Sequence, residues 1–182
     1  MKVISGIYKG RNITGYNITG TRPTLERVKE SLFATIQDYI PQSQVLDLFS
    51  GSGNLAIESL SEGAKMAYAV DNNKIATDTI KKNINNIGVK NCQVILADYK
   101  IALKNLASQN IKFDIIFLDP PYARDYIEKS INYIEKYDLL ASDGIIVCES
   151  QYLDKIIYSA SFTAIKEKKY GDKWVVILKK IC

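Results

Sequence analysis

The sequence predicts an α/β fold: a mixed seven-stranded sheet with helices on both faces and a small N-terminal β-hairpin plus helix extension. The main observation is that short apolar runs alternate with longer amphipathic runs from residue 45 to Glu149, which is typical of repeated βα units and a parallel sheet. After Glu149 two strand-like runs flank a Tyr-Gly-Asp-Lys turn, which predicts a closing antiparallel hairpin. A length of 182 residues with 47% hydrophobic residues suits one globular domain.

The first 40 residues stand apart from this alternation, and we predict that residues 1–40 form an extension of a main domain at 41–182. Two segments, KVISG and RNITGYNI, have the character of short strands around the turn IYKG. The next segment, RPTLERVKESLFATIQDYI, predicts a helix that begins at Pro23 and Thr24. Its apolar stripe is formed by Val28, Leu32 and Ile36.

The main domain supplies five strand-sized runs before the closing hairpin, namely VLDLF, MAYAV, CQVIL, FDIIFL and DGIIVCES. The helix-sized runs between them are NLAIESLSEGA, NKIATDTIKKNINNIG, YKIALKNLASQN and RDYIEKSINYIEKYDLL. In the second of these helices we expect Ile75, Ile80, Ile84 and Ile87 to form one buried stripe. The segment FTAIKEKKYGDKWVVILKK supplies the hairpin.

Composition excludes several kinds of site. The chain has no histidine, which excludes Ser-His-Asp and Cys-His catalysis and histidine-ligated metal sites. Cys92, Cys148 and Cys182 are widely spaced without a C-x-x-C pair, so we expect reduced core thiols and no disulfide framework or metal site. No apolar run suits a signal peptide or a membrane span, and we therefore expect a cytoplasmic protein without a membrane partner.

Basic charge is concentrated in the extension. Residues 1–40 contain six Lys or Arg against three Asp or Glu, a net charge of +3 out of +4 for the whole chain. Such a distribution suggests a polyanionic partner, although charge runs are more often only a solvated surface.

The segment VLDLFSGSGNLAIES predicts a strand, a glycine-rich turn and the start of a helix. The G-x-G spacing of Gly51 and Gly53 indicates either a tight turn or a cofactor loop. Asp71 ends the next strand, where an acid can bind ribose hydroxyls, and Asp98 ends the third strand, where a carboxylate can reach an adenine amino group. Either acid alone is more often a helix cap, but their joint position on successive strand ends predicts a nucleoside cofactor.

Asp47 discriminates between classes of cofactor. It lies four residues before Gly51, where a loop that binds a pyrophosphate should hold no anion. An acid there suits a positively charged ligand such as S-adenosylmethionine, and it can also bind the loop's own amides. A nicotinamide-dependent oxidoreductase is an alternative that Asp71 allows, but Asp47 opposes it and the chain has no Tyr-x-x-x-Lys pair.

The motifs DLFSGSG, Asp71, ADY and DPPY follow the order found in class I S-adenosylmethionine-dependent methyltransferases that methylate amino groups. The flanking segments ISGIYKGRNI, RPTLERVKESLF, GSGNLAIESLSEGA and YGDKW resemble the bacterial 16S ribosomal RNA guanine-N2 methyltransferases over nearly the whole chain. One departure is Asp71, where that family more often has glutamate. The resemblance implies a Rossmann-like fold, methyl transfer to the N2 amine of a guanine in 16S RNA, an assembled small subunit as substrate, and a monomer.

The resemblance also implies that the cofactor is held by strand ends and by the glycine-rich loop. The predicted cofactor residues are Asp47, Phe49, Ser50, Gly51, Ser52, Gly53, Asp71, Asn72, Asp98, Tyr99 and Asp119.

The DPPY motif comprises Asp119, Pro120, Pro121 and Tyr122. Asp-Pro-Pro is good turn chemistry by itself, but open α/β sheets bind ligands at this end of a strand. Asp119 and the carbonyl of Pro120 can accept hydrogen bonds from an exocyclic amine and orient its lone pair. The two prolines stiffen the loop, and Tyr122 can stack on a base that is flipped or unpaired.

For RNA binding we predict basic residues of the extension and one residue past the DPPY motif. These residues are Lys9, Arg11, Arg22, Arg27, Lys29 and Arg124. The runner-up function is DNA adenine-N6 methylation, which DPPY permits but for which the chain has little room for a target-recognition domain. A non-catalytic RNA-binding module would explain the basic extension but would not need DPPY.

Overall fold

The computed structural model describes residues 1–15, 22–121 and 125–181, with only the backbone described at 22–25. Within these ranges the strands are β1 (Gln44–Asp47), β2 (Met66–Asp71), β3 (Cys92–Leu96), β4 (Phe113–Leu118), β5 (Leu140–Ser150), β6 (Phe162–Tyr170) and β7 (Lys173–Lys180). The α-helices are α1 (Arg22–Ile36), α2 (Asn54–Ser61), α3 (Lys74–Ile87), α4 (Tyr99–Ser108) and α5 (Tyr126–Lys136). Short 3-10 helices occupy Gly6–Tyr8, Gln37–Tyr39 and Leu153–Lys155.

The seven strands form one sheet in the order β3-β2-β1-β4-β5-β7-β6. Strands β1 to β5 are parallel, and β7 lies antiparallel to both β5 and β6. The predicted mixed sheet with a closing hairpin is therefore confirmed. Because the chain moves outward from β1 to β3 and then returns to β4 on the other side of β1, the carboxyl ends of β1 and β4 form a topological switch point, where such sheets bind ligands.

Alternate residues of the central strands bury against helices on opposite faces. Val45, Ile115 and Phe117 belong to the core beneath α1, α2 and α3. Leu46 and Ile116 belong to the core beneath α4 and α5. Burial on both faces explains why the central strands are nearly continuous apolar runs.

The predicted N-terminal hairpin is present but short, with one antiparallel bridge between Lys2 and Asn12 that is flanked by backbone hydrogen bonds from Val3 to Arg11 and from Ile13 to Met1. The predicted strands fail to extend because backbone N–H groups of the segment donate to side chains of α2. The amides of Ile4 and Ser5 donate to Glu58, and that of Tyr8 donates to Ser61. The rest of the second predicted strand, from residue 16 onward, lies outside the described residues.

The predicted isoleucine stripe of α3 is wrong at Ile75. Ile80 and Ile87 are buried, whereas the Ile75 side chain is 67% exposed. A separation of five residues turns the helix by about 500°, so Ile75 lies about 140° away from Ile80. Spacings of four and seven residues, as from Ile80 to Ile84 and Ile87, do return to one face.

Two of the three cysteines are described, and both are free thiols. Cys148 is buried and Cys92 is partly buried. Burial raises the pKa of Cys92 to about 12, so its thiol stays protonated. Cys182 lies outside the described residues. No helix in the described part of the chain is both long and apolar enough to cross a membrane.

Candidate active site

A cavity of about 420 Å³ opens at the carboxyl ends of the central strands, at the switch point. Its lining includes every predicted cofactor residue except Gly53, and it also includes Pro120 and Pro121 of the DPPY motif. The structure therefore brings together the four predicted acids at the ends of β1 to β4, of which Asp47 and Asp119 are 72 positions apart in the sequence. Gly53 is behind the lining, where its φ of 79° turns the chain into α2 and an added Cβ would lie 3.0 Å from Ile80.

Asp71 fastens the glycine-rich loop to the rim of β2. Its Oδ2 accepts a hydrogen bond from the amide of Gly51, and its Oδ1 accepts one from the amide of Asn73, both at 2.9 Å. A carboxylate has about four acceptor sites, so Asp71 retains acceptor capacity toward the cavity while it holds the loop.

Asp98 caps α4, because its side chain accepts a hydrogen bond from the amide of Lys100 at 2.9 Å. The next residue, Tyr99, is part of an aromatic wall with Phe49 and Tyr126. The ring centroids of these three residues are 5.6 to 5.8 Å apart, and all three side chains line the cavity. This wall suits the flat apolar face of a purine. Tyr126 had not been predicted, and the signal for it was an aromatic residue at the start of the helix that follows DPPY.

Asp47 is buried, at 1% exposure. Its Oδ2 accepts a hydrogen bond from the Ser50 hydroxyl at 2.7 Å. Burial raises the pKa of Asp47 to about 7, and the hydrogen bond from Ser50 opposes that rise. A cation in the cavity would favour the charged form of this carboxyl group.

Asp119 shares one lysine with a second acid. The Nζ atom of Lys173 lies 3.3 Å from both carboxylate oxygens of Asp119 and 3.3 Å from Oε2 of Glu149. These distances are longer than the roughly 2.7 to 2.9 Å of a tight charge-assisted hydrogen bond. Lys173 therefore interacts at equal distance with the carboxylates of Asp119 and Glu149, and it forms a tight hydrogen bond with neither of them.

Glu149 is buried at the end of β5, and burial raises its pKa to about 7. The negative charge of Asp119 raises that pKa further, while Lys173 lowers it. Sequence reasoning missed both Glu149 and Lys173. The available signals were a fifth acid at a strand end and the basic residue of the YGDKW motif.

In the rest of the DPPY turn, Pro120 is buried and Pro121 is exposed at the cavity. Tyr122 and Arg124 lie outside the described residues, so stacking by Tyr122 and phosphate binding by Arg124 stay predictions.

The predicted RNA-binding residues divide into exposed and buried groups. Lys9, Arg11 and Arg27 are exposed, and the side chain of Arg22 is outside the described part. Arg11 is held against the body of the protein, because its guanidinium donates to the carbonyl of Ile87 and lies 5.7 Å from the ring centroid of Tyr8.

The prediction that Lys29 binds a phosphate is wrong. Its side chain is only 3% exposed, and Nζ lies 2.6 Å from Oε2 of the buried Glu58. The ammonium also donates to the carbonyl of Lys2 and to Oδ1 of Asn54, both at 2.8 Å. Burial lowers the pKa of Lys29 even though Glu58 opposes this. Lys29 thus joins α1 to the N-terminal segment and to the start of α2.

Comparison with known proteins identifies relatives over the whole chain. Residues 1–179 match the model of the family described as conserved hypothetical protein 95. A protein named "Putative rRNA methyltransferase YlbH" from Bacillus subtilis is 38% identical and covers 99% of both chains. "Ribosomal RNA small subunit methyltransferase D" from Buchnera aphidicola is 36% identical over 91% of this chain and 86% of the relative. The solved structure named "Putative methyltransferase yhhF from Escherichia coli" superposes with a TM-score of 0.85 at 29% identity, covering 99% of this chain and 97% of the other.

Proposed function

The chain belongs to the conserved hypothetical protein 95 family, and from that premise we propose that it is an S-adenosylmethionine-dependent ribosomal RNA methyltransferase. Its target is the exocyclic N2 amine of a guanine in 16S RNA. The observation that carries the proposal is the position of Asp119, which shares one cavity with the loop and strand-end acids predicted to hold the cofactor. Relatives named ribosomal RNA small subunit methyltransferase D support RNA as the substrate class.

The residues of the cavity fit S-adenosylmethionine in size and charge. A volume of about 420 Å³ lies within the range of small-molecule sites. Asp71 would hold the ribose, Asp98 and the aromatic wall would hold the adenine, and the buried Asp47 would face the ligand's positive charge. When bound, S-adenosylmethionine supplies an electrophilic methyl group on a sulfonium.

Asp119 orients the amine that receives the methyl group. The lone pair of a guanine amino group is delocalised into the ring, so the amine is a poor nucleophile until acceptors hold its N–H groups in a reactive geometry. The Asp119 carboxylate and the Pro120 carbonyl are those acceptors. Methyl transfer is an in-line displacement, in which the amine nitrogen bonds to the methyl carbon as that carbon leaves the sulfur. Because positioning supplies much of the rate of such a displacement, no histidine is needed. The proton that nitrogen loses passes to Asp119 or to water.

Lys173 and Glu149 keep Asp119 available to the substrate. Lys173 keeps a positive charge beside the Asp119 carboxylate, and Glu149 draws the same ammonium in the opposite direction. At 3.3 Å from Lys173, Asp119 retains lone pairs that can accept the N–H groups of the amine.

The proposed reaction is tested with labelled S-adenosylmethionine and small ribosomal subunits from a strain that lacks the protein. We expect labelled 2-methylguanosine in 16S RNA, with assembled subunits better substrates than naked RNA and with a monomeric enzyme in the cytoplasm. In a parallel reaction with DNA in place of the subunits, label in N6-methyladenine would instead support the runner-up function. Label in neither nucleic acid would contradict both assignments.

Affinity for S-adenosylmethionine is expected to rise as the pH is raised from 5.5 to 7. In the free protein Asp47 has a pKa of about 7, and a bound cation favours its ionised form. Each pH unit below that pKa therefore costs up to about tenfold in affinity. Binding at pH 6 releases a proton, which calorimetry in two buffers of different ionisation enthalpy detects.

Asp47→Asn is the matching control for this pH dependence. It should bind more weakly and without the slope, because an amide does not titrate in this range. Glu149→Gln should keep the slope, although Glu149 also has a pKa of about 7. If the slope instead disappears in Glu149→Gln and survives in Asp47→Asn, the titrating acid is Glu149 and the prediction is wrong.

A further inference from the structure

The C-terminal hairpin carries a second concentration of basic charge. Residues 162–180, which form β6, the turn and β7, contain six lysines and two acids, a net charge of +4. This equals the net charge of the entire chain. The hairpin is therefore more basic than the N-terminal extension, although the predicted RNA contacts lay mainly in the extension.

Apart from Lys173, which lines the cavity, the lysines of the hairpin fall into two groups at its two ends. At the end far from the turn, Lys179 lies 3.4 Å from the carboxylate of Asp143, and Lys180 lies 3.3 Å from that of Asp138. Towards the turn are the exposed lysines 166, 168 and 169. Within the described part of the chain these three form no salt bridge, so their charge is not neutralised by a neighbouring acid.

Lys168 and Lys169 lie beside the active site. Tyr170 pairs with Lys173, which lines the cavity, and Lys169 pairs with Trp174 on the next rung. Successive residues rise by about 3.4 Å along a strand, so Lys168 begins about 7 Å from the Tyr170 rung. The Nζ atoms of Lys168 and Lys169 lie 4.8 and 5.8 Å from the ring centroids of Tyr170 and Trp174.

The same end of the hairpin touches α1. The hydroxyl oxygens of Tyr170 and Ser31 are 3.0 Å apart. Arg27 is exposed and precedes Ser31 by four residues, so it lies on the same face of α1. A basic strip thus runs from Arg27 across the Ser31–Tyr170 contact to Lys168, along one side of the cavity mouth.

We propose that Lys168 and Lys169, together with Arg27, bind phosphates of the RNA segment that flanks the target nucleotide. The proposal rests on the proposed function, because it takes RNA as the substrate. Three positive side chains beside the mouth of the cavity, none of them in a salt bridge with another residue that the structure describes, match the spaced negative charge of a nucleic-acid backbone. The two lysines emerge on opposite faces of the edge strand β6, so they can contact phosphates on both sides of an RNA strand that crosses this edge.

Edge protection is the competing explanation for these lysines. Lysines on an exposed edge strand prevent pairing with a second sheet, and β6 is one of the two edge strands. Edge protection requires charged side chains on β6, but it gives no reason for these lysines to lie near the turn instead of at the far end. It also predicts no effect on RNA affinity per monomer.

The test compares the double variant Lys168→Ala/Lys169→Ala with Lys179→Ala/Lys180→Ala, which removes two lysines from the far end of the same hairpin. Binding to unmethylated small subunits is measured at several salt concentrations, with S-adenosylhomocysteine present. If each lysine holds one phosphate, the first variant lowers the slope of log affinity against log salt by about two units. The second variant keeps the wild-type slope, as does Lys168→Arg/Lys169→Arg. Affinity for S-adenosylmethionine should be the same in all of them.

If Lys168→Ala/Lys169→Ala keeps the wild-type slope and the wild-type enzyme is active, the phosphate-binding role of these lysines is overturned and the proposed function is not. Self-association of that variant with unchanged affinity per monomer also overturns it and supports edge protection. A wild-type protein that neither binds nor methylates small subunits overturns the proposed function and, with it, the RNA ligand of this surface.

Discussion

Asp119→Ala is expected to slow methyl transfer at least about a hundredfold, while affinity for S-adenosylmethionine changes far less, because Asp119 is only one of several residues predicted to hold the cofactor. In the proposed mechanism the carboxylate holds the N–H groups of the target, and this interaction strengthens as the nitrogen gains positive charge in the transition state. Loss of one such contact typically costs about 10²- to 10³-fold in rate. Single-turnover rates on purified small subunits measure the chemical step, and calorimetry measures cofactor affinity.

Asp119→Asn separates two roles of the same side chain, because an amide accepts a hydrogen bond but cannot take a proton. Substantial residual activity in Asp119→Asn would make Asp119 a positioning acceptor. A loss equal to that of alanine would indicate proton acceptance or a need for charge. Asp143→Ala, at a side chain that is 95% exposed, is the control and should react at the wild-type rate. A wild-type rate for Asp119→Ala would overturn the catalytic interpretation of DPPY.

The sheet could be predicted because each central strand is buried on both faces. Such strands appear as short, nearly continuous apolar runs, and the helices between them keep a period of 3.6 residues. The N-terminal segment was harder to predict because its amides bond to Glu58 and Ser61 of α2. Those partners are more than 50 residues away in the sequence, so local strand character did not determine the outcome.

The rim of the cavity could be predicted because parallel strands bring their carboxyl ends to one edge. Asp47, Asp71, Asp98 and Asp119 therefore meet in space, as expected from their places after four strands. The resemblance to ribosomal RNA methyltransferases is confirmed by relatives of that name that are 36% and 38% identical, and residues 1–179 match a single family model. These signals depend on chain order and spacing, which the sequence displays directly.

Ion-pair partners could not be predicted, because they join elements that are distant in the sequence. Lys173 reaches Asp119 across 54 positions. From the sequence, Lys29 resembles the other basic residues of the N-terminal extension, yet it faces Glu58 inside the protein. A lysine's identity and spacing do not tell whether a carboxylate from another helix will meet it.

Lys29→Met is expected to lower the free energy of unfolding by about 3 to 5 kcal/mol, the usual cost of removing one partner from a buried ion pair. The side chains of Lys29 and Glu58 are 3% and 0% exposed. Without the ammonium, the Glu58 carboxylate stays buried, and its remaining hydrogen bonds from described residues are those of the Ile4 and Ser5 amides. Denaturant titration followed by circular dichroism measures the change.

Two comparisons separate a buried unpaired charge from a general effect of losing a lysine. Lys74→Met removes one partner of an exposed pair, in which Lys74 and Asp78 are 74% and 44% exposed, and should change stability by less than about 1 kcal/mol. Lys29→Met/Glu58→Gln should be more stable than Lys29→Met alone, because glutamine still accepts the two amides and leaves no buried charge. If Lys29→Met lowers the free energy of unfolding no more than Lys74→Met does, the Lys29–Glu58 pair does not hold the extension to α2. Since Lys29 also bonds to Asn54, the first residue after the glycine-rich loop, loss of this pair should loosen the extension and the cofactor loop together.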